Sequence, residues 1–301
     1  MASLLRAELL AQAPDLGRQF RSARPFPHVV IDGFLDGAFL RGLQEEFPEF
    51  DTSRTRNELG RAGGKAVHER IASLGPAYAR FDAWIQTREF LEWLSELTGI
   101  PRLLYDADYV GGGTHQNMNG QELDTHVDFN YHPKTKLHRR LNLILFVNPE
   151  WEAGWGGNLN GAGRRAACRD APAANRCVIF ETSEVSWHGF GAVAMPEDQA
   201  HLGRRSIAVY FYTKDRPAEE TAPSHSTFYI PRPLPERFTP GYTLDERDAW
   251  ELQVLVERRD QQIRFLYERE LEFGRMMQSP TFRLARALAW PARVVKRLVG
   301  K

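Results

Sequence analysis

Four short runs dominate the middle of the chain: LLYDADYV (103–110), LNLILFVN (141–148), RCVIFETS (176–183) and RSIAVYFYT (205–213). Each is rich in β-branched and aromatic residues and bounded by Gly, Pro, Asn or Asp, the pattern of a strand between turns. No helical period separates them. Strands at that spacing predict an antiparallel barrel or sandwich.

Different patterns flank this region. Residues 3–12 predict a short amphipathic helix, His28–Ile31 a strand before an Asp-Gly turn, and Gly37 to Phe47 a helix. The polar, glycine-bearing stretch 51–70 reads as a loop or lid. Apolar positions recur at helical spacing across 76–98, through Tyr78, Phe81, Trp84, Phe90, Trp93 and Leu97. After the strands, 214–245 is rich in Pro and Ser and reads as an extended return plus a linker. Residues 245–277 are helical, with Leu252, Val256, Ile263, Leu266, Phe273 and Met277 along one face. The fold class is therefore α+β: an N-terminal helix (1–23), a strand-rich domain (24–233) and a C-terminal helical tail (234–301).

Composition narrows the function classes. The chain has 301 residues, 42% of them apolar, enough to bury a sizeable core. Its 39 basic and 39 acidic residues offer no electrostatic case for nucleic acid as a partner. Two cysteines, Cys168 and Cys177, lack CxxC spacing and read as reduced thiols. Arg6 and Glu8 interrupt the apolar start, and no run approaches the ~20 apolar residues of a membrane span, so a cytoplasmic protein is expected. No GxSxG, P-loop or dinucleotide fingerprint occurs in the sequence.

The stretch DTHVDFNYHP (124–133) carries the candidate chemistry. In an extended segment, His126 and Asp128 point to one face, about 7 Å apart at Cα. A cation above that face would take both an imidazole nitrogen and a carboxylate oxygen. An HxD pair alone is more often solvated, so a third ligand is needed. His188, in SEVSWHGFG, follows an apolar strand and precedes a Gly-Phe-Gly turn, which puts it at a strand end. Two His and one carboxylate form the facial triad of non-haem Fe(II) oxygenases. Arg204-Arg205 opens the last strand. One guanidinium there would balance the charge of Fe(II), Asp128 and a bound 2-oxoglutarate, and its planar fork suits a carboxylate. Arg205 is preferred, on the reading that it enters the barrel while Arg204 faces away. Arg204 is the alternative, and a solvated basic turn the bland one. His132, in a loop over the mouth, and His138 read as substrate-side or structural and not as ligands, and His201 as an exposed loop residue.

Together PFPHVVIDGFL, GGGTHQNMNGQELDTHVDFNYHP, RRLNLILFVNPEWEAGWGGNL, WHGF, RRSIAVYFYT and HSTFYIPRP resemble the prolyl-4-hydroxylase-like branch of the Fe(II)/2-oxoglutarate-dependent dioxygenases, in its bacterial members. The resemblance spans about residues 24–233. It implies a double-stranded β-helix (a jelly-roll or cupin-like barrel) with supporting N-terminal helices. It further implies Fe(II) held by His126, Asp128 and His188, and 2-oxoglutarate reaching Arg205, the four forming the catalytic set. Asn142, Ile144 and Phe146 would share the cosubstrate face of one strand. Phe146 stands near where relatives often place a tyrosine hydroxyl, a contact that is then either lost or supplied by Asn142 or His115. Leu159 would add an apolar wall. The implied activity is hydroxylation of an unidentified substrate (a prolyl residue, a small molecule or a glycan-linked group), with O2 consumed and 2-oxoglutarate decarboxylated to succinate and CO2. Ascorbate fits as an accessory reductant. Asp128 argues against the halogenating relatives, in which a small residue leaves room for halide. A cupin-like metal-binding barrel and an inactive relative acting as a scaffold are the competing classes.

Residues 281–299 interleave apolar side chains with Arg283, Arg286, Arg293, Lys296 and Arg297 around Pro291. Such a segment suits a peripheral contact with an anionic membrane or a partner helix, or a solvated end of the chain.

Overall fold

The structure is a computed structural model, and it describes residues 3–51, 55–56, 65–152, 154–161, 171–230, 234–284 and 288. It divides into two compact units, Met1–Ile230 and Pro231–Lys301.

The first unit opens with helices α1 (Glu8–Ala11) and α2 (Ala13–Ser22), strand β1 (His28–Asp32) and helix α3 (Gly37–Glu45). Asp36 caps α3 by accepting from the Ala38 and Phe39 amides. Strands β2 (Thr55–Arg56) and β3 (Lys65–His68) follow. The stretch expected to be a loop or lid thus supplies two strands, and residues 52–54 and 57–64 lie outside the described residues. β3 pairs with Thr114–Gln116 of a later strand, and at the adjoining Gly113 an added Cβ would meet the His68 carbonyl oxygen at 2.1 Å. Only glycine admits that approach, at φ +100°.

The helical stretch 76–98 is two helices, α4 (Pro76–Ile85) and α5 (Arg88–Thr98). Thr87 breaks them apart: its hydroxyl accepts the Phe90 amide as the cap of α5, and Gly99 ends that helix in the left-handed region. The run 103–110 forms only a two-residue strand, β4 (Leu104–Tyr105). Asp106 takes the chain out of it by accepting from the Asp108 and Val110 amides.

The remaining strands are β5 (Gly113–Asn117), β6 (Leu123–Val127), β7 (His138–Phe146), β8 (Leu159–Gly161), β9 (Arg176–Glu181), β10 (His188–Phe190), β11 (Arg204–Thr213) and β12 (Phe228–Tyr229). They build two antiparallel sheets, as in a jelly-roll-like sandwich. The larger runs β1-β9-β7-β11-β5-β3-β2, with β4 also on β11; the smaller runs β12-β6-β10-β8.

One face of the large sheet is apolar. Leu141, Leu143 and Leu145 of β7 and Ile207, Val209 and Phe211 of β11 pack there against Phe20, Tyr78, Phe81, Phe90 and Leu94 of the helices. This layer is the main core, and at ~25 cal/mol per Å2 its burial dominates the stability of the unit. The opposite face of the same strands looks toward the small sheet and carries polar groups. Free Cys177 is buried in the core, where desolvation pushes its thiol pKa up; Cys168 lies outside the described residues.

The second unit contains α6 (Glu246–Gln278), a helix of 33 residues. Asp245 and Asp248 form a reciprocal capping box at its start, and Arg237 and Tyr242 bind Asp248. Most of the basic tail 279–301 falls outside the described residues. Among the described residues no helix is long and apolar enough to cross a membrane.

Candidate metal centre and its cavity

β6 and β10 are neighbours in the small sheet, with His126 directly opposite His188. Gly189 permits the pairing, since a Cβ there would meet the Leu123 carbonyl oxygen at 2.6 Å. Asp128 follows β6 by one residue. The ligand atoms of His126, Asp128 and His188 all lie within 4.8 Å of one another, and all three residues are buried. His126 Nε2 is 3.8 Å from Asp128 Oδ1, and His188 Nε2 is 3.5 Å from Asp128 Oδ2.

The proton on each imidazole can be placed from its partners. His126 Nδ1 is 2.8 Å from the Asp124 carbonyl and His188 Nδ1 is 2.9 Å from the Ser186 carbonyl. A carbonyl only accepts, so each Nδ1 carries the hydrogen and each neutral ring turns a bare Nε2 lone pair inward. Burial lowers both pKa values, that of His126 to about 3, with the nearby His188 ring pushing it the same way. Burial alone would raise Asp128. The Arg139 guanidinium and then the two imidazoles more than reverse this and hold its carboxyl well below the usual carboxylate range. Two lone pairs and one carboxylate therefore converge with no proton among them. That donor set fits a divalent cation, and it is the two-His-one-carboxylate set of a non-haem Fe(II) site.

Arg139 went unforeseen in the sequence. Its Nη2 lies 3.1 Å from Asp128 Oδ2, and Asn142 Nδ2 donates to the same oxygen at 2.7 Å. Asn142 Oδ1 in turn accepts from Arg139 Nε and Nη2. These contacts load Oδ2, the oxygen beside His188, and leave Oδ1 facing His126. Asn142 is thus on the cavity wall, with its amide bonded to Asp128 and Arg139.

The three residues open on a cavity of about 220 Å3, lined by both sheets. His115, Ile144 and Leu159 form part of its wall. His115 Nε2 is 3.2 Å from the Gly111 carbonyl, and burial followed by the Lys65 charge lowers its pKa well below the ordinary imidazole value. Leu159 packs with Phe26, Phe146, Val178 and Phe180.

The expectation for the arginine pair is reversed. Arg204, Ser206, Ala208 and Tyr210 line the cavity, whereas Arg205 shares its strand face with Ile207, Val209 and Phe211. The Arg205 guanidinium sits 5.1 Å from the Phe47 ring centre, on the helix side. Strand alternation is the cause: the apolar face of β11 serves the helical core, so the residue in phase with it cannot enter the barrel. Arg204 is 3% exposed, between the rings of Phe146 at 4.8 Å and Phe190 at 4.1 Å. Its Nε donates to the Gly157 carbonyl. Among the described residues no carboxylate pairs with it, and burial pulls its pKa down to about 9.

A second cluster, Asp106, Asp108 and His132, also gathers within 4.8 Å. His132 Nδ1 accepts the Lys134 and Thr135 amides, so its hydrogen is on Nε2, aimed at Asp106 Oδ1 at 3.3 Å. That ring has no lone pair to offer a metal, and the cluster is a turn.

Residues 113–212 match the family model of the 2OG-Fe(II) oxygenase superfamily. No curated protein matches the sequence. Among solved structures, a prolyl hydroxylase from Trichoplax adhaerens, in complex with a hypoxia-inducible-factor peptide, is 12% identical, with 69% of this chain and 93% of that one covered and a TM-score of 0.46. A Pseudomonas putida prolyl-4-hydroxylase is 14% identical, with 66% and 100% covered and a TM-score of 0.43. HygX from Streptomyces hygroscopicus, with nickel, 2-oxoglutarate and hygromycin B bound, is 11% identical, with 69% and 95% covered and a TM-score of 0.44. At such scores none of the three says what this chain acts on.

Proposed function

We propose that this chain, a member of the 2OG-Fe(II) oxygenase superfamily through residues 113–212, is a hydroxylase in which His126, Asp128 and His188 hold Fe(II) and Arg204 holds the distal carboxylate of 2-oxoglutarate. Bound iron would supply activation of O2, coupled to oxidative decarboxylation of the cosubstrate to succinate and CO2.

The observation that carries this reading is Arg204. A guanidinium buried without an acid costs stability, and it lies on the same cavity as the three ligands. A dianion with one end on the metal and the other on Arg204 would repay that cost. Ser206, buried two residues further along the same face, adds a hydroxyl to the same cavity. A binding barrel or a scaffold has no use for such a cation.

The remaining residues orient and exclude. Arg139 and Asn142 fix Asp128 through Oδ2 and leave Oδ1 toward His126. Phe146, Leu159 and Phe190 keep water from the Arg204 end, where a lower dielectric strengthens the ion pair. The cavity is smaller than the 300–1,000 Å3 usual for pockets that engulf a ligand. It suits the cosubstrate plus the reacting group of a substrate whose bulk stays outside. Both a side chain of a peptide and the edge of a small glycosylated molecule meet that description.

Anaerobic titration with Fe(II) and 2-oxoglutarate tests the reading through the visible charge-transfer band of the chelate. The band is expected for the wild type and lost in Asp128→Ala and His188→Ala. A folded wild-type chain that gives no band would sink the proposal and leave a binder or scaffold.

A further inference from the structure

α6 carries a long apolar stripe that its own unit leaves exposed. Val256, Ile263, Leu266 and Phe273 are 57%, 62%, 51% and 58% exposed, and Leu252 and Met277 are half-buried. A helix of this length spans about 50 Å, and an isolated apolar stripe on it is unfavourable in water.

The six follow a heptad pattern. Steps of four and three residues lead from Leu252 to Val256, then from Ile263 to Leu266, and from Phe273 to Met277. The two positions that complete the series between them are charged, Arg259 and Glu270, both exposed. The stripe thus runs for almost four heptads, the extent that marks a coiled coil.

The placement of the two charges selects the partner. In a parallel pair of identical helices, Arg259 would meet Arg259 and Glu270 would meet Glu270. In an antiparallel pair centred between Arg264 and Phe265, Leu252 meets Met277, Val256 meets Phe273, Ile263 meets Leu266, and Arg259 meets Glu270, each contact made twice. Both charges of the seam are then matched. An anionic membrane surface would favour basic residues, yet α6 has more acids than bases.

We propose that α6 is a self-association element, through which two copies of this chain pair as an antiparallel two-stranded coiled coil with Arg259 of each facing Glu270 of the other. The proposal is independent of the oxygenase reading.

Sedimentation of the full-length protein from roughly 1 to 100 µM, a range that brackets micromolar association, is the test. A concentration-dependent dimer is expected. Arg259→Glu and Glu270→Arg should each weaken it by about tenfold or more, because each creates two like-charge contacts. The double variant Arg259→Glu/Glu270→Arg should restore it to within about threefold of wild type, since the swap preserves every antiparallel pair. Ile263→Asp/Leu266→Asp should be monomeric, with circular dichroism checking that the barrel is intact. A wild type that stays monomeric at the highest concentration overturns the proposal. So does a dimer indifferent to the single charge reversals, or a double variant that stays dissociated. Binding of the wild type to phosphatidylserine vesicles without self-association also overturns it, and assigns the stripe to a membrane.

Discussion

Arg139 and Arg204 occupy the two ends of one cavity and look alike by most measures. Both are buried, and each guanidinium lies against two aromatic rings, Phe129 and Tyr210 for Arg139, Phe146 and Phe190 for Arg204. They differ in one respect. Arg139 has Asp128 at 3.1 Å, and that attraction outweighs burial and raises its pKa; Arg204 has no acid among the described residues, and burial lowers its pKa. A buried cation paired within the chain is architecture, because its charge is already spent on holding another side chain. On the function proposed above, a buried cation with no acid is a socket that the carboxylate of a ligand would complete.

The comparison can be broken most directly at Arg139. Arg139→Met leaves Asp128 buried without its partner and is expected to cost about 3–5 kcal/mol of metal-free stability in urea unfolding. Fe(II) should recover part of that loss by replacing the missing charge. Arg204→Met should go the other way: the metal-free protein is expected to hold or gain stability, while 2-oxoglutarate affinity falls on the order of 100-fold with Fe(II) binding kept. Stability changes of the same sign in both variants would refute the distinction between pair and socket.

Acid should act through the buried imidazoles of the cavity, His126 and His188 beside Asp128 and His115 on the wall, and not through the arginines. The folded pKa of His126 is about 3 and that of His188 is also lowered, against about 6.5 when unfolded. The unfolded chain therefore binds more protons below pH 6.5, and the metal-free protein loses stability as pH falls from 6.5 toward 3. The expected slope is at most about 1.4 kcal/mol per pH unit for each ring. His126→Gln should flatten it, and an unchanged slope in that variant would mean that other groups dominate. The smallest effect belongs to Arg205→Met, which should leave 2-oxoglutarate affinity within about twofold, as for a partly exposed site with no shared partner. A larger loss would restore the assignment that strand parity removed.

How much of this the sequence carried depends on the range of the interaction. That His126, Asp128 and His188 would meet was readable because HxD fixes two residues on one face and His188 ends an apolar strand. The phase of β11 is readable too, from its apolar positions and not from its opening pair. Ile207, Val209 and Phe211 mark the helix-facing side, which leaves Arg204 in step with the small and polar Ser206 and Ala208 on the other. Arg139 was hidden by a β-bulge. Tyr212 pairs with Arg139 whereas Phe211 pairs with Leu141, so one extra residue, Arg140, sits in β7. Simple alternation from Asn142 would send Arg140 inward. The bulge turns Arg139 in and Arg140 out to Glu181 and Glu220. Strands β8, β10 and β12 have two or three residues each, too few for a period to show.

The pinning of the two imidazoles has a consequence for metal identity. Each ring is held by a carbonyl two residues back on its own chain, Asp124 for His126 and Ser186 for His188. The inward nitrogens are therefore set by short-range geometry before any ion arrives. A rigid, pre-formed N2O face with open positions does little to discriminate among divalent first-row ions, whose affinities rise from manganese through iron and cobalt to nickel and copper. Occupancy then follows supply. Protein eluted from a nickel column should carry nickel in place of iron, and exchange of the ion, more than any change in the chain, would separate a silent preparation from an active one.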